Sequence, residues 1–237
     1  MILTIYPPYF GELNASPFCV KALALLHMSG LDYGVDLQID PRKAPKGKFP
    51  VLGDGGHTIS DSADIQRHLE TTHGVDFDGA LSDAERATGH LLRRTMEEHL
   101  YFAILAERWI EELNWEVLQK VYFKELPMVL KLFLPGLVRR STVGQAEAQG
   151  VGRHSAAERL DRGRADIDAV AQVLGDTPWL FGDRPTSYDA SVASMLRSAT
   201  FFPRETDLAR AVKAHANLVA YMERARTDIM PPLEKLG

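Results

Sequence analysis

The 237-residue sequence predicts an α/β domain over residues 1–74 joined to an all-helical domain over residues 81–237. Three observations predict this. Residues 1–74 read in the order strand, helix, strand, hairpin, helix. Residues 75–80 carry no periodic pattern and read as a linker. From Ser82 onward the apolar residues recur at helical spacing.

Ile2 to Tyr6 is rich in branched residues and predicts a buried first strand. Pro7 to Ala15 is a loop. Ser16-Pro17 places a capping residue ahead of a proline at the first helical position. That helix runs through Leu23, Leu26 and His27 to Gly30, a C-terminal glycine. Leu31 to Ile39 alternates and predicts the second strand. Pro41 to Gly47 is a basic, proline-rich connection. Phe49-Pro50 then opens a short apolar run, Val51-Leu52, and an X-Pro bond is the one peptide bond with a real chance of being cis. Gly53-Asp54-Gly55-Gly56 is turn chemistry, His57 to Ile59 is the return strand, and Ser60-Asp61-Ser62 offers three capping side chains before a helix ending near His73-Gly74.

In the second part Ser82 caps a long helix carrying Leu91, Leu92, Met96, Leu100 and Ile104 toward Trp109. Trp115, Leu118, Val121 and Tyr122 predict another helix, broken near Pro127 and again at Pro135-Gly136. Ser155 with Glu158 is a capping box, and Leu160, Arg164, Ile167, Val170 and Leu174 continue it to Gly175. Thr186 with Asp189 is a second such box, ahead of Val192 and Leu196. One last helix is predicted through Leu208, Val212, His215, Val219 and Met222, closed by Pro231-Pro232.

The order Lys48-Phe49-Pro50-Val51-Leu52, turn, Ile59-Ser60-Asp61-Ser62 resembles the glutathione-site half of the thioredoxin-like domain in glutathione transferases. Pro178 to Ala190 resembles the capping motif of that family's helical domain, whose role is in folding. With Ser16-Pro17-Phe18-Cys19, Lys46-Gly47-Lys48 and Gly152-Arg153-His154-Ser155, the chain is most similar to the branch of failed-axon-connections and metaxin-like proteins and their bacterial relatives. The resemblance covers nearly the whole chain. It implies an N-terminal thioredoxin-like α/β domain plus an all-α C-terminal domain, the glutathione transferase architecture. It also implies glutathione as co-substrate, a small-molecule electrophile, a detoxification role and a homodimer.

Residue by residue, the resemblance places glutathione's cysteinyl part against the backbone of Phe49, before a cis Pro50. The γ-glutamyl group falls to Asp61-Ser62, where the usual acid is Glu, one methylene longer. Lys48 would meet the glycyl carboxylate, and Lys46 is a looser candidate. Glutathione's thiol has a reference pKa near 8.5 and only its thiolate is a good nucleophile, so a transferase lowers that value by roughly two units, about 2.7 kcal/mol of selective stabilisation. A hydroxyl and a helix N-terminus aimed at the sulfur are the simplest tools. Ser16 supplies both, and the same residues also make a plain helix start. Tyr6 is the alternative activator, at the end of the first strand. Cys19 is another, in the first helical turn, where a helix dipole lowers a thiol's pKa, although a lone cysteine inside a helix more often reads as a small buried hydrophobe. Tyr101 and Trp109, among the aromatics of the first two helices of the second domain, would line the electrophile pocket. The rival reading is a non-catalytic binding or adaptor module on the same fold.

Composition narrows the alternatives. Hydrophobic content of 45% and charged content of 25% are ordinary for a soluble globular protein. A net charge of −5 disfavours wholesale nucleic-acid binding. One cysteine excludes an internal disulfide framework and a multi-thiolate metal site, and the eight histidines show no metal-ligand spacing such as His-Glu-x-x-His, so no metal is expected. The start, Met1 to Tyr6 and then Pro7-Pro8, does not read as a signal peptide, and no segment is long and apolar enough to span a bilayer. The expected location is cytoplasmic.

Overall fold

The structure, a computed structural model, describes residues 1–124 and 126–236. Its first part is a four-stranded sheet made of β1 (Ile2–Ile5), β2 (Gly34–Leu37), β3 (Val51–Asp54) and β4 (His57–Ser60), in the order β2-β1-β3-β4. β1 runs parallel to β2, which a crossover through α1 (Pro17–Ser29) makes possible. β3 and β4 form the antiparallel hairpin, with Asp54 opposite His57. α2 (Ser62–His73) follows the hairpin. Both helices stop at a glycine in the left-handed region, Gly30 at φ 67 and Gly74 at φ 68.

The rest is helical: α3 (Asp83–Arg94), α4 (Tyr101–Trp109), α5 (Glu112–Tyr122), α6 (Met128–Lys131), α7 (Leu134–Gln149), α8 (Ala156–Leu174), α9 (Ser187–Thr200), α10 (Asp207–Lys213) and α11 (Ala216–Asp228). A π-helical stretch, Thr95–Leu100, joins α3 to α4 into one rod. α9 is the central helix. Twelve of its fourteen residues are buried, and it packs against α1 of the first part as well as α3, α10 and α11. Small residues allow this closeness. A Cβ at Gly89 on α3 would lie 2.5 Å from the Tyr188 ring of α9.

The capping boxes form as predicted. Ser82 pairs with Glu85, Ser155 with Glu158 and Thr186 with Asp189. Asp189 is wholly buried and accepts from Leu180 N (3.0 Å), Thr186 N (2.8 Å), Thr186 Oγ1 (2.7 Å) and the Tyr221 hydroxyl (3.0 Å).

Four details depart from the sequence reading. Leu91 is 67% exposed, because Leu92 and Met96, a helical turn apart, take the buried face. Pro135 lies in the first turn of α7, where its missing N–H costs nothing, so it opens a helix rather than breaking one. The last predicted helix is two, since His215 sits in extended backbone at the N-cap of α11, and Val219 is partly exposed. β2 is shorter than the alternating run Leu31–Ile39, because its pairing with β1 spans only Gly34–Leu37.

Candidate active site

The loop after the 3-10 turn Pro41–Lys43 brings Phe49-Pro50 to the start of β3, and the Phe49–Pro50 peptide is cis. Phe49 is buried, and its ring meets that of Tyr6 edge-on at 5.0 Å between centroids. The Asp61 N–H donates to Pro50 O (3.3 Å), which ties the start of α2 to the same spot. Asp61 is the N-cap of α2, and its Oδ1 accepts from Ala63 N at 2.8 Å. Its φ of 94 is costly for any residue with a side chain, and such backbones persist where the surroundings over-determine them, often at ligand sites. Ser62 beside it is 1% exposed, and among the described residues its hydroxyl has no hydrogen-bond partner. Ser60 Oγ and Gln66 Oε1, on either side, are buried and unpartnered too. Three orphaned polar atoms around one helix start are uncommon in a folded chain.

Ser16 is the N-cap of α1, yet its side chain caps nothing. Its hydroxyl instead approaches the Cys19 thiol, which Tyr6 N–H also reaches. Cys19 is fully buried, and burial pushes its thiol up to about 12, more than those two donors pull it down. Desolvation therefore outweighs the helix dipole that the sequence reading invoked. Alkylation of Cys19 at neutral pH is expected to be slower in the folded than in the urea-unfolded chain. Equal rates would show that the thiol is reachable. The Tyr6 phenol is held well above its ordinary range, first by burial and then by Cys19, Tyr101 and Tyr122.

Lys48 Nζ donates to Gln145 Oε1 of α7 at 3.0 Å, an exposed link between the two parts of the molecule. Lys46 is engaged with Asp64 at 2.8 Å. Beside these residues a cavity of about 480 Å³ is lined by Lys46, Ser60, Asp64, Arg67 and His68, and its wall does not include Phe49, Asp61 or Ser16.

Tyr101 and Trp109 stand at opposite ends of α4 and enter different environments. Tyr101 meets Phe18 of α1 at 4.9 Å and Phe102 at 5.1 Å. Trp109 lies 5.5 Å from Trp115 and 6.3 Å from Tyr122, in a separate aromatic group. The loop before α1 crosses to that group. Tyr9 stacks on Tyr122 at 5.0 Å, and Phe10 reaches Phe201 and Phe202 at 6.0 and 5.7 Å. Glu12 anchors the crossing, its two carboxylate oxygens both accepting from Arg197 Nη2 at 2.6 and 2.5 Å.

Sequence reasoning missed Arg108. It is buried, lies over the rings of Phe201 and Phe202 (4.6 and 5.3 Å), and donates to Ser198 O. Among the described residues no carboxylate makes an ion pair with it. Burial lowers its pKa, while Tyr122, Glu107 and Tyr101 favour its charge. The Tyr101 and Tyr122 phenols are each pushed up to about 12 by burial, with Arg108 pulling the other way. The helical side of the site is therefore an aromatic wall that holds the buried Arg108 and the protonated phenols of Tyr101 and Tyr122. The only hint in the sequence was an arginine beside Trp109, and its partners lie some ninety residues away at Ser198 to Phe202.

Known proteins agree with this architecture. Residues 17–114 match the family model of the glutathione S-transferase N-terminal domain, and residues 163–225 match that of the C-terminal domain. Isoprene-epoxide–glutathione S-transferase of Rhodococcus sp. (strain AD45) is 32% identical over 228 residues, covering 93% of this chain and 95% of that protein. Failed axon connections of Drosophila melanogaster is 27% identical over 241 residues, covering 94% of this chain but only 56% of that longer protein. Among solved structures, the β-etherase LigF of Sphingobium sp. strain SYK-6 superposes with a TM-score of 0.65 at 14% identity, over 99% of this chain and 96% of that one, a likeness of fold. A cis proline at the start of β3, an α1 that begins at Ser16-Pro17 and packs against a helical second part, two matched domain models over most of the chain and a relative 32% identical over nearly its whole length lead to one assignment: this chain belongs to the glutathione transferase family.

Proposed function

We propose that the chain binds glutathione across Phe49-Pro50 and conjugates it to a small apolar electrophile held against α4 and the Tyr9–Phe10 loop. The observation that carries the reading is the start of α2. Asp61 is held at φ 94 next to a buried Ser62 hydroxyl that has no hydrogen-bond partner among the described residues. A γ-glutamyl group offers an ammonium for the Asp61 carboxylate and a carboxylate for the hydroxyl and the helix N-terminus. When bound, glutathione supplies the nucleophilic sulfur. Ser16 holds that sulfur as thiolate by donating its hydroxyl, which does not cap α1 and turns from the Cys19 thiol to the ligand. The cationic Arg108 and the protonated Tyr101 and Tyr122 favour negative charge developing on the electrophile. That favours epoxides, the class acted on by the relative from Rhodococcus. Sulfur attacks an epoxide carbon, the carbon–oxygen bond breaks with its electron pair going to oxygen, and a phenol or water returns a proton.

The test is to incubate the protein with reduced glutathione and a small alkyl epoxide, following adduct mass and thiol loss. Adduct forming faster than in buffer supports the reading. In the same protein, the absorbance of bound thiolate against pH is expected to give an apparent pKa roughly two units below 8.5, and Ser16→Ala is expected to raise it by about one unit. A pKa unmoved by Ser16→Ala removes Ser16 from the mechanism.

A second reading, a binding module without chemistry, is favoured by the Lys48–Gln145 link, which occupies the lysine assigned to the glycyl carboxylate. Glutathione binding with no adduct from any electrophile selects it.

A further inference from the structure

Away from the glutathione groove, at the far end of α2, three metal-ligating side chains converge. Asp54 closes β3 at the hairpin, His68 lies in the last half of α2, and His73 is its final residue. One carboxylate oxygen, Asp54 Oδ2, accepts from His68 Nε2 at 2.8 Å and from His73 Nε2 at 2.7 Å. All three donor atoms lie within 4.8 Å of one another, and the two imidazoles meet edge-on at 5.5 Å. Two imidazoles aimed at a single carboxylate oxygen form a set that one divalent ion replaces. Ligands about 2.0–2.2 Å from a tetrahedral ion stand roughly 3.3–3.6 Å from each other, so each imidazole nitrogen needs to part from Asp54 Oδ2 by about 0.5–0.9 Å, a rotamer adjustment.

The surroundings suit an ion as well. His68 Nδ1 lies 3.2 Å from Thr72 Oγ1, so when Nε2 gives up its proton the tautomer with Nδ1–H has an acceptor in place. Side-chain exposures of 13% for His68, 18% for Asp54 and 26% for His73 leave the ligands semi-buried with one open side, which water fills as a fourth ligand. Two imidazole nitrogens and one carboxylate select a borderline ion such as Zn²⁺, Co²⁺ or Ni²⁺ over Mg²⁺ or Ca²⁺.

We propose that Asp54, His68 and His73 bind one divalent transition-metal ion, which clips the β3–β4 hairpin to the C-terminal end of α2. The sequence hides it, because the spacing of 14 and then five residues matches no familiar motif. Ser62 and His73 are separated by roughly 16 Å of helix, so the site is distinct from the glutathione groove.

The test uses the untagged full chain, free of chelator and glutathione. Co²⁺ titration is expected to give visible absorbance that saturates at one equivalent and that Zn²⁺ displaces. At about a hundredfold excess over Kd, Zn²⁺ is expected to raise the thermal midpoint by about 5–10 °C. His73→Ala, at a partly exposed helix end, should weaken Co²⁺ binding at least about tenfold, and the isosteric Asp54→Asn should do the same with the hairpin retained. No saturable one-equivalent signal, or unchanged affinity in both variants, overturns the proposal. Glutathione affinity is expected to be the same in His73→Ala and in the parent, so this outcome and the fate of the proposed conjugation are read separately.

Discussion

Replacing Glu97 by alanine is expected to lower the stability of the fold by about 3–5 kcal/mol, the usual cost of stranding a buried charge. Lys21 on α1 is wholly buried, and its Nζ lies 2.6 Å from Glu97 Oε1 in the π-helical stretch. Ser191 of α9 donates to the same oxygen at 2.6 Å. Burial pulls the Lys21 pKa down, and Glu97 is the main group holding it up. Without Glu97 the lysine must either shed its proton or keep an unpaired charge, and both cost the folded state. For a chain of this size the thermal midpoint should fall by about 6–20 °C. The double variant Lys21→Met, Glu97→Met should recover most of the loss, because a buried pair often exchanges for apolar side chains at little cost. Urea unfolding of the two single variants and the double variant checks this. A single-variant loss below about 1 kcal/mol would mean that water reaches the pair.

Asp189→Ala is expected to cost about 4 kcal/mol or more. The substitution strands two backbone N–H groups and two hydroxyls that now share one buried carboxylate, and each unsatisfied group costs about 1–3 kcal/mol. It also removes the N3 half of the capping box that starts α9, the helix on which both parts of the molecule pack. Asp189→Asn should be milder, since it keeps one acceptor oxygen while placing an amide against donors. Thermal unfolding separates the two. Equal midpoints for Asp189→Ala and the parent would show that the Leu180 turn and the Thr186 cap hold without it.

Features written in local sequence were legible. The Ser82, Ser155 and Thr186 caps need only four consecutive residues, and the Phe49-Pro50 turn with its hairpin needs about a dozen. Asp61-Ser62 could be placed at a helix start for the same reason, although nothing in the residue order told of its positive φ. Contacts between distant segments were not legible. Lys21 and Glu97 lie 76 residues apart, and a buried lysine looks like any other in a helix pattern. Arg108 became notable only when Phe201 and Phe202 folded beneath it. Cys19 had two local readings, and the structure selects the buried small hydrophobe. The helix-start rule was sound, but burial of the thiol overrode it. His215 was read as part of a helical face, whereas the chain uses it to start a new helix.

In the proposed function, the first turn of α2 receives the amino-acid end of glutathione. Ser62→Ala is the cleanest probe, because removing an unpartnered buried hydroxyl leaves the fold as stable as before or slightly more so. Calorimetric titration with reduced glutathione should show millimolar or tighter binding to the parent protein, with Ser62→Ala and Asp61→Ala each weaker by about tenfold. No heat of binding to the parent, or equal affinity in all three proteins, would contradict it.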